Sequence, residues 1–422
     1  VTGVQTWLFR SQRRIIALAL GLLLLIFGGC SLIEKDEELA EQLENSKTII
    51  EYNGTAVTKG DITKQMTQYL AASGSSIDSM KSVGEDSWKM FKEMFITQCA
   101  ANLIALDKAK ELGLDQLTDE QQVNIDEAYN STMSTLESMF APVAQAAVEE
   151  DPSLDYDTEY QKLVENYLNS AGYDLETLRD DLVKQTILTT VKEHFIKDVT
   201  VTDERVRSNY EATLEIQKGN IEQDPKNFSL QESLGSTILY YPEGYMKVRH
   251  ILIAFDEDTK SKALKAYSAT GDNTEYDKII ADALPTIQPK VDEVIARMKA
   301  GEDFTALIDE YNSDANMNLE PAHSEGQVVG PYSTDVIIPG YLDAVAKLNA
   351  VGDYTTITTY SGCYIIRCEK LLAGPVPFDE VKDTLKSNLL ASEQEAKWSE
   401  ITSGWLEEAQ NAGKLKMYPD RY

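Results

Sequence analysis

The 422-residue sequence is poor in histidine, cysteine and positive charge, and each shortage excludes something. Its three histidines, His194, His250 and His323, are isolated and give no metal constellation. Four cysteines, Cys30, Cys99, Cys363 and Cys368, contain no C-x-x-C pair, which argues against a disulfide scaffold or a zinc site. Cys363 and Cys368 lie five apart on one expected strand, so they face opposite ways and do not pair with each other. Lysine and arginine number 39 against 70 acidic residues, a formal net charge of -31, and clustered cations for nucleic-acid phosphates are missing. There is no phosphate loop, no Gly-x-Ser-x-Gly elbow and no paired-carboxylate motif, so neither a cofactor nor a metal is expected. The apolar run Ile15 to Phe27 falls short of the about 20 residues that cross a bilayer.

What is present begins at that run. Arg10, Arg13 and Arg14 precede it and Gly28-Gly29-Cys30 close it, the layout of an exported signal peptide over 1–29. Small residues before a cysteine resemble a bacterial lipobox, with Phe27 where Leu is usual, so the resemblance implies cleavage before Cys30 and lipidation of its thiol. A polar tether over 30–47 follows. Asn53-Gly54 between Thr48–Tyr52 and Thr55–Thr58 is a strong hairpin signal, and Asp61 is a plausible cap for the next helix. Helical periodicity then covers 87–112, and Thr118-Asp119-Glu120-Gln121 is a capping-box start for a helix to about Glu149. Further helices are predicted over 155–170, 175–198 and from Thr202; a break at Asp224-Pro225 leads to a linker over 229–241. One or two amphipathic helices are predicted over 378–409.

Between 246 and 369 an ordered set of motifs carries chemistry. Val248-Arg249-His250-Ile251-Leu252-Ile253 reads as a strand bearing a histidine. Tyr311-Asn312-Ser313-Asp314, Gly326-Gln327-Val328-Val329-Gly330 and Ile338-Pro339-Gly340-Tyr341 follow, and Thr359-Tyr360-Ser361-Gly362-Cys363-Tyr364-Ile365-Ile366 is a second strand with hydroxyls at its start. In this order and spacing they resemble a parvulin-type peptidyl-prolyl isomerase domain. The hairpin start and the Thr202 helix start resemble the chaperone lobe of SurA- and PrsA-type foldases. The resemblance implies an α+β protein: a mainly helical chaperone lobe over 48–243, an inserted parvulin-like domain over 244–371 with a four-stranded antiparallel sheet flanked by helices, and C-terminal helices over 372–422 that pack on the N-terminal lobe.

The resemblance assigns a polar catalytic cluster to His250, Asp314, Thr359, Ser361 and Tyr364, and an apolar proline slot to Val329, Ile337 and Tyr341. The family has Leu, Met and Phe in the slot and a second histidine where Tyr364 stands. Asp314 equally reads as a turn cap, His250 as a structural histidine, and Val329 and Tyr341 as core. An extra stretch over about 256–290 separates the His250 strand from a helix expected at 291–300, with a helix of its own at 276–284. Asp256, Glu257 and Asp258 stand where phosphate-directed parvulins are basic, which argues against phosphate recognition. Isomerisation breaks no bond; it requires better binding of a twisted X-Pro amide, over a barrier of about 18–20 kcal/mol.

These readings imply a foldase held by lipid at the outer face of the membrane of a Gram-positive-type bacterium. Its partners would be unfolded or partly folded secreted proteins and their X-Pro segments, with no nucleic acid, and the resemblance admits a homodimer. Three alternatives stand open: a working isomerase, a chaperone whose parvulin-like domain is an inactive binding module, and an unrelated surface lipoprotein.

Overall fold

The computed structural model describes residues 34–268, 273–334, 336 and 338–422. In chain order the first elements are α1 (Glu34–Asn45), β1 (Thr48–Tyr52), β2 (Thr55–Thr58), α2 (Lys59–Ala71), α3 (Ile77–Ser82), α4 (Glu85–Leu112), α5 (Asp119–Glu150), α6 (Tyr156–Ser170) and α7 (Leu178–Ile196). Next come α8 (Asp203–Gln223), α9 (Asn227–Ser233), β3 (Tyr240–Ala254), α10 (Glu257–Ser268), α11 (Thr274–Lys299) and α12 (Phe304–Tyr311). The chain ends with α13 (Ala322–Glu325), β4 (Gln327–Val329), α14 (Tyr341–Val345), β5 (Tyr354–Thr359), β6 (Gly362–Pro375), α15 (Phe378–Asn411) and β7 (Leu415–Met417). The fold is α+β, mostly helical, with one three-stranded and one four-stranded antiparallel sheet.

The described chain forms two compact units, one of 34–199 with Ser392–Tyr422 and one of Thr200–Ala391. In the first, Asn53 and Gly54 take the positive φ values, 48° and 80°, that a tight two-residue hairpin demands. The helix after it is capped by Thr58, not Asp61: Thr58 accepts from the Asp61 amide while the Asp61 side chain accepts from the Thr58 amide. Strand β7 pairs antiparallel with β1, Ile50 opposite Met417, so the first and last strands among the described residues share one sheet. Ile49, Ile50, Ile62, Met66, Ile96 and Leu415 form the core beneath it. The second half of α15 packs there too, with Trp398 and Trp405 against Ala105, Ala109 and Val191. The expected polar tether is instead helical over Glu34–Asn45, and Lys59 reaches Glu44 from α2 at 2.8 Å.

In the second unit the sheet order is β4-β3-β6-β5. Strand β3 alternates between two filled faces, so the His250 strand is buried on both sides. Ile251, Ile253, Cys363 and Ile365 pack with α11 and α12 on one face. Val248, Leu252, Tyr364, Ile366 and Cys368 pack with Val329 and α14 on the other.

The unit that holds the sheet is wider than 244–371, since residues 200–243 and 372–391 belong to it. The reason is burial. Val206, Tyr210 and Leu239 share a core with Leu385, and the Tyr210 hydroxyl donates to the Val376 carbonyl at 2.6 Å. The expected linker over 229–241 is partly helical, because Phe228 on α9 is buried against Tyr245 at a ring distance of 4.3 Å.

The extra stretch also differs from expectation. It contains α10, and its second helix does not stop before residue 291. Helix α11 runs unbroken through Pro285 and Pro289. Each proline removes one helical hydrogen bond, but Leu284, Ile287, Val291, Val294 and Met298 make one stripe against the sheet across both. Burial outweighs the two lost bonds.

Candidate functional site

The candidate centre lies on the β3–β6 face that α14 covers. His250 is opposite Ile366, and Leu252 is opposite Tyr364, so Tyr364 is the diagonal neighbour of His250. The rings of His250, Tyr364 and Tyr341 stand edge-on to one another, with centroids 5.1, 5.6 and 6.0 Å apart. The His250 Nδ1 lies 2.8 Å from the Tyr341 hydroxyl, and its Nε2 lies 3.1 Å from Asp314 Oδ2. His250 and Asp314, 64 residues apart, are therefore brought together.

Asp314 has a second task. Its Oδ1 accepts from the Asn316 amide and caps a 3-10 turn over Ala315–Asn318, so the capping reading and the His250 reading both apply. The hydrogen bond from His250 holds the Asp314 carboxyl below the usual carboxylate value, against the upward push of partial burial. Burial pushes the Tyr364 hydroxyl up to about 12, the Asp314 charge adds to this, and Ser361 pulls the other way. Burial first, then Tyr364 and Asp314, raises the Tyr341 hydroxyl well above its ordinary value.

The remaining expected residues fall as follows. Thr359 is buried at the end of β5, and its Oγ1 accepts from the Ser361 amide at 3.2 Å, which shapes the turn into β6. Val329 and Tyr341 were expected to wall an open slot. They are 0 % and 1 % exposed, and His250 is 2 % exposed, so these groups lie in the core. The Tyr341 hydroxyl also joins the polar network. Ile337 lies outside the described residues, as does Cys30.

Asn312 is a residue whose role the motif reading missed. Its Oδ1 accepts from the Leu252 amide at 2.9 Å and from the Asp314 amide, while its Nδ2 donates to the Asp314 carbonyl at 2.7 Å. The Ser313 amide donates to the Leu252 carbonyl. Past the end of β4 the β3 edge carries unpaired backbone groups, and this loop covers them while placing Asp314 on His250. The available signal was its place in Tyr311-Asn312-Ser313-Asp314, since asparagine readily bonds the backbone two residues on.

Comparison with known proteins bears on the whole chain. It is 22% identical over 405 residues to the foldase protein PrsA of Clostridium acetobutylicum, covering 93% of this chain and 94% of the relative. It is 25% identical over 247 residues to the foldase protein PrsA of Caldanaerobacter subterraneus subsp. tengcongensis, covering 58% of this chain and 71% of the relative. The chain is a PrsA-like foldase. No protein-family model matches it. A crystal structure of foldase protein PrsA from Streptococcus pneumoniae is 16% identical and covers 86% of this chain and 93% of its own, but the TM-score of 0.26 adds nothing to the sequence match.

In this PrsA-like chain the Asp314 pair has a pH signature. Because its pKa is lowered on folding, the ionised carboxylate contributes stability fully above its ordinary value of 3.8 and loses it as pH falls through the lower folded value. Asp314→Asn should therefore flatten the loss of stability of this unit below about pH 5, read as urea midpoints at a series of pH values. An unchanged slope would remove Asp314 from the pair.

Proposed function

We propose that this PrsA-like foldase is exported, is held at the outer face of a cell membrane by a lipidated Cys30, and works by holding unfolded secreted proteins while its parvulin-like centre stays shut to prolyl substrates. The observation that carries the division between holding and turnover is the burial of Val329, Tyr341 and His250. A catalyst of amide rotation needs an apolar slot that a proline ring can enter. Here both described slot residues are packed in the core, and Tyr364 stands where the resemblance expects a second histidine.

Holding needs the opposite: exposed, adaptable apolar surface. On α4, Met90 is 71% exposed and Met94, one turn on, is 56% exposed. Methionine is flexible and polarizable, and suits binding of varied sequences. Exposed Tyr69 extends this surface, its ring 5.6 Å from Phe95 and 6.3 Å from Phe91. The -31 net charge keeps the holding protein soluble and favours basic clients.

The test is aggregation of a reduced, unfolded client in the presence of the full chain. Met90→Glu with Met94→Glu should lower suppression severalfold, with an unchanged melting temperature because both side chains are at the surface. Equal suppression by wild type and double variant would place the client elsewhere. A wild-type chain that accelerates prolyl exchange, a process of about 10–100 s when uncatalysed, would overturn the shut centre.

The anchor is tested separately. Among the described residues no helix is long and apolar enough to cross a membrane. Cys30→Ala should release the protein from membranes or leave its precursor uncleaved. Normal processing and full membrane retention of that variant would end the lipoprotein reading.

A further inference from the structure

We infer that Tyr341 is the positioning residue of the His250 centre: its hydroxyl fixes His250 as the Nε2–H tautomer. The inference deepens, and rests on, the reading of a shut centre.

For a neutral imidazole the chemistry of the three groups leaves one arrangement. A carboxylate only accepts hydrogen bonds, so at 3.1 Å from Asp314 Oδ2 the His250 Nε2 must carry the proton. In the neutral ring Nδ1 is then a bare lone pair, and at 2.8 Å it accepts from the Tyr341 O–H. The other tautomer would set a lone pair on Nε2 against the carboxylate. Asp314 stays ionised because the bond from His250 lowers its pKa, and burial keeps the Tyr341 hydroxyl protonated. Tyr364, in the expected place of the second histidine, presents only its ring, 5.1 Å from His250 and inclined at 82°.

Two consequences follow for the site. Both nitrogens of His250 are in use, so it offers neither donor nor acceptor to a client amide. The Tyr341 ring, drawn inward by its hydroxyl, lies in the core that Val329 and Ile366 complete. A phenylalanine there could turn its face to a proline ring, but it would leave a buried Nδ1 without a donor.

The experiment is long-range proton–nitrogen correlation on the full chain labelled with nitrogen-15, at neutral to slightly alkaline pH. Only three histidines contribute, which makes His250 assignable. The wild type should show an unprotonated, acceptor-type Nδ1 and a protonated Nε2. Tyr341→Phe should move both nitrogens toward tautomer-averaged shifts. A wild-type proton on Nδ1 overturns the inference whether or not the variant folds, and so does a folded Tyr341→Phe with an unchanged His250 spectrum. Prolyl turnover by a wild type that shows the Nε2–H tautomer would overturn the shut-centre reading and leave Tyr341 in its role.

Discussion

Gly362→Ala is expected to destabilise the four-stranded unit strongly. Gly362 opens β6 at φ 139°, and a Cβ there would stand 2.2 Å from the Ile253 carbonyl oxygen and 2.7 Å from the Ala254 Cα. These are backbone atoms of the paired strand, so neither can swing aside. Strain at such a φ costs about 1–3 kcal/mol and overpacking a similar amount, so about 2–6 kcal/mol is lost, a large share of the about 5–15 a domain has in all. The His250–Tyr364 face depends on this pairing, so the centre would be lost with it. Gly301→Ala is the control: φ is 85° but nothing lies within 4 Å of its Cβ, so only strain of about 1 kcal/mol applies. Urea midpoints of the two variants should separate clearly. Equal midpoints would mean that the β3–β6 approach at Gly362 is looser than described.

Removing Ser392–Tyr422 is expected to collapse the first unit, whereas removing 200–391 and bridging the ends with a short Gly/Ser linker should leave it folded and able to hold clients. The first deletion strips β7 from β1 and takes Trp405, Ala409 and Leu415 out of the cores that Ile50, Ile96 and Ala105 share with them. Each large buried side chain lost costs about 2–5 kcal/mol, so several together exceed the stability of a domain. The second deletion follows the boundary of the compact unit and cuts none of those clusters. Far-ultraviolet circular dichroism during thermal melting, with the client aggregation assay, measures both. A cooperative melt after loss of Ser392–Tyr422, or a molten product from the bridged deletion, would show that the units have been divided in the wrong place.

Legibility in the sequence followed the range of the interaction. Thr118 with Gln121, Asp155 with Thr158, and Thr202 with Arg205 act over three residues, and these helix starts could be read directly. Asn53-Gly54 was equally plain, because few residue pairs accept two successive positive φ values. His250 and Asp314 could be paired only through the resemblance of an ordered motif set, since no local rule connects positions 64 apart. The separate helices expected at 276–284 and 291–300 are one, because the stripe that Leu284, Ile287 and Val291 bury outweighs the hydrogen bonds lost at Pro285 and Pro289.

By itself the sequence determined the helix starts at Thr118 and Thr202, the first hairpin and the order of motifs along β3 and β6, because these follow from residue types a few positions apart. Tertiary structure decided the rest. It closed β1 with β7, extended the sheet unit to 200–391, and placed Tyr341 on His250 across 91 residues. The physical reason is burial: whether a tyrosine walls an open slot or donates to a buried imidazole depends on which distant elements exclude water around it, and no pattern of neighbours along the chain records that.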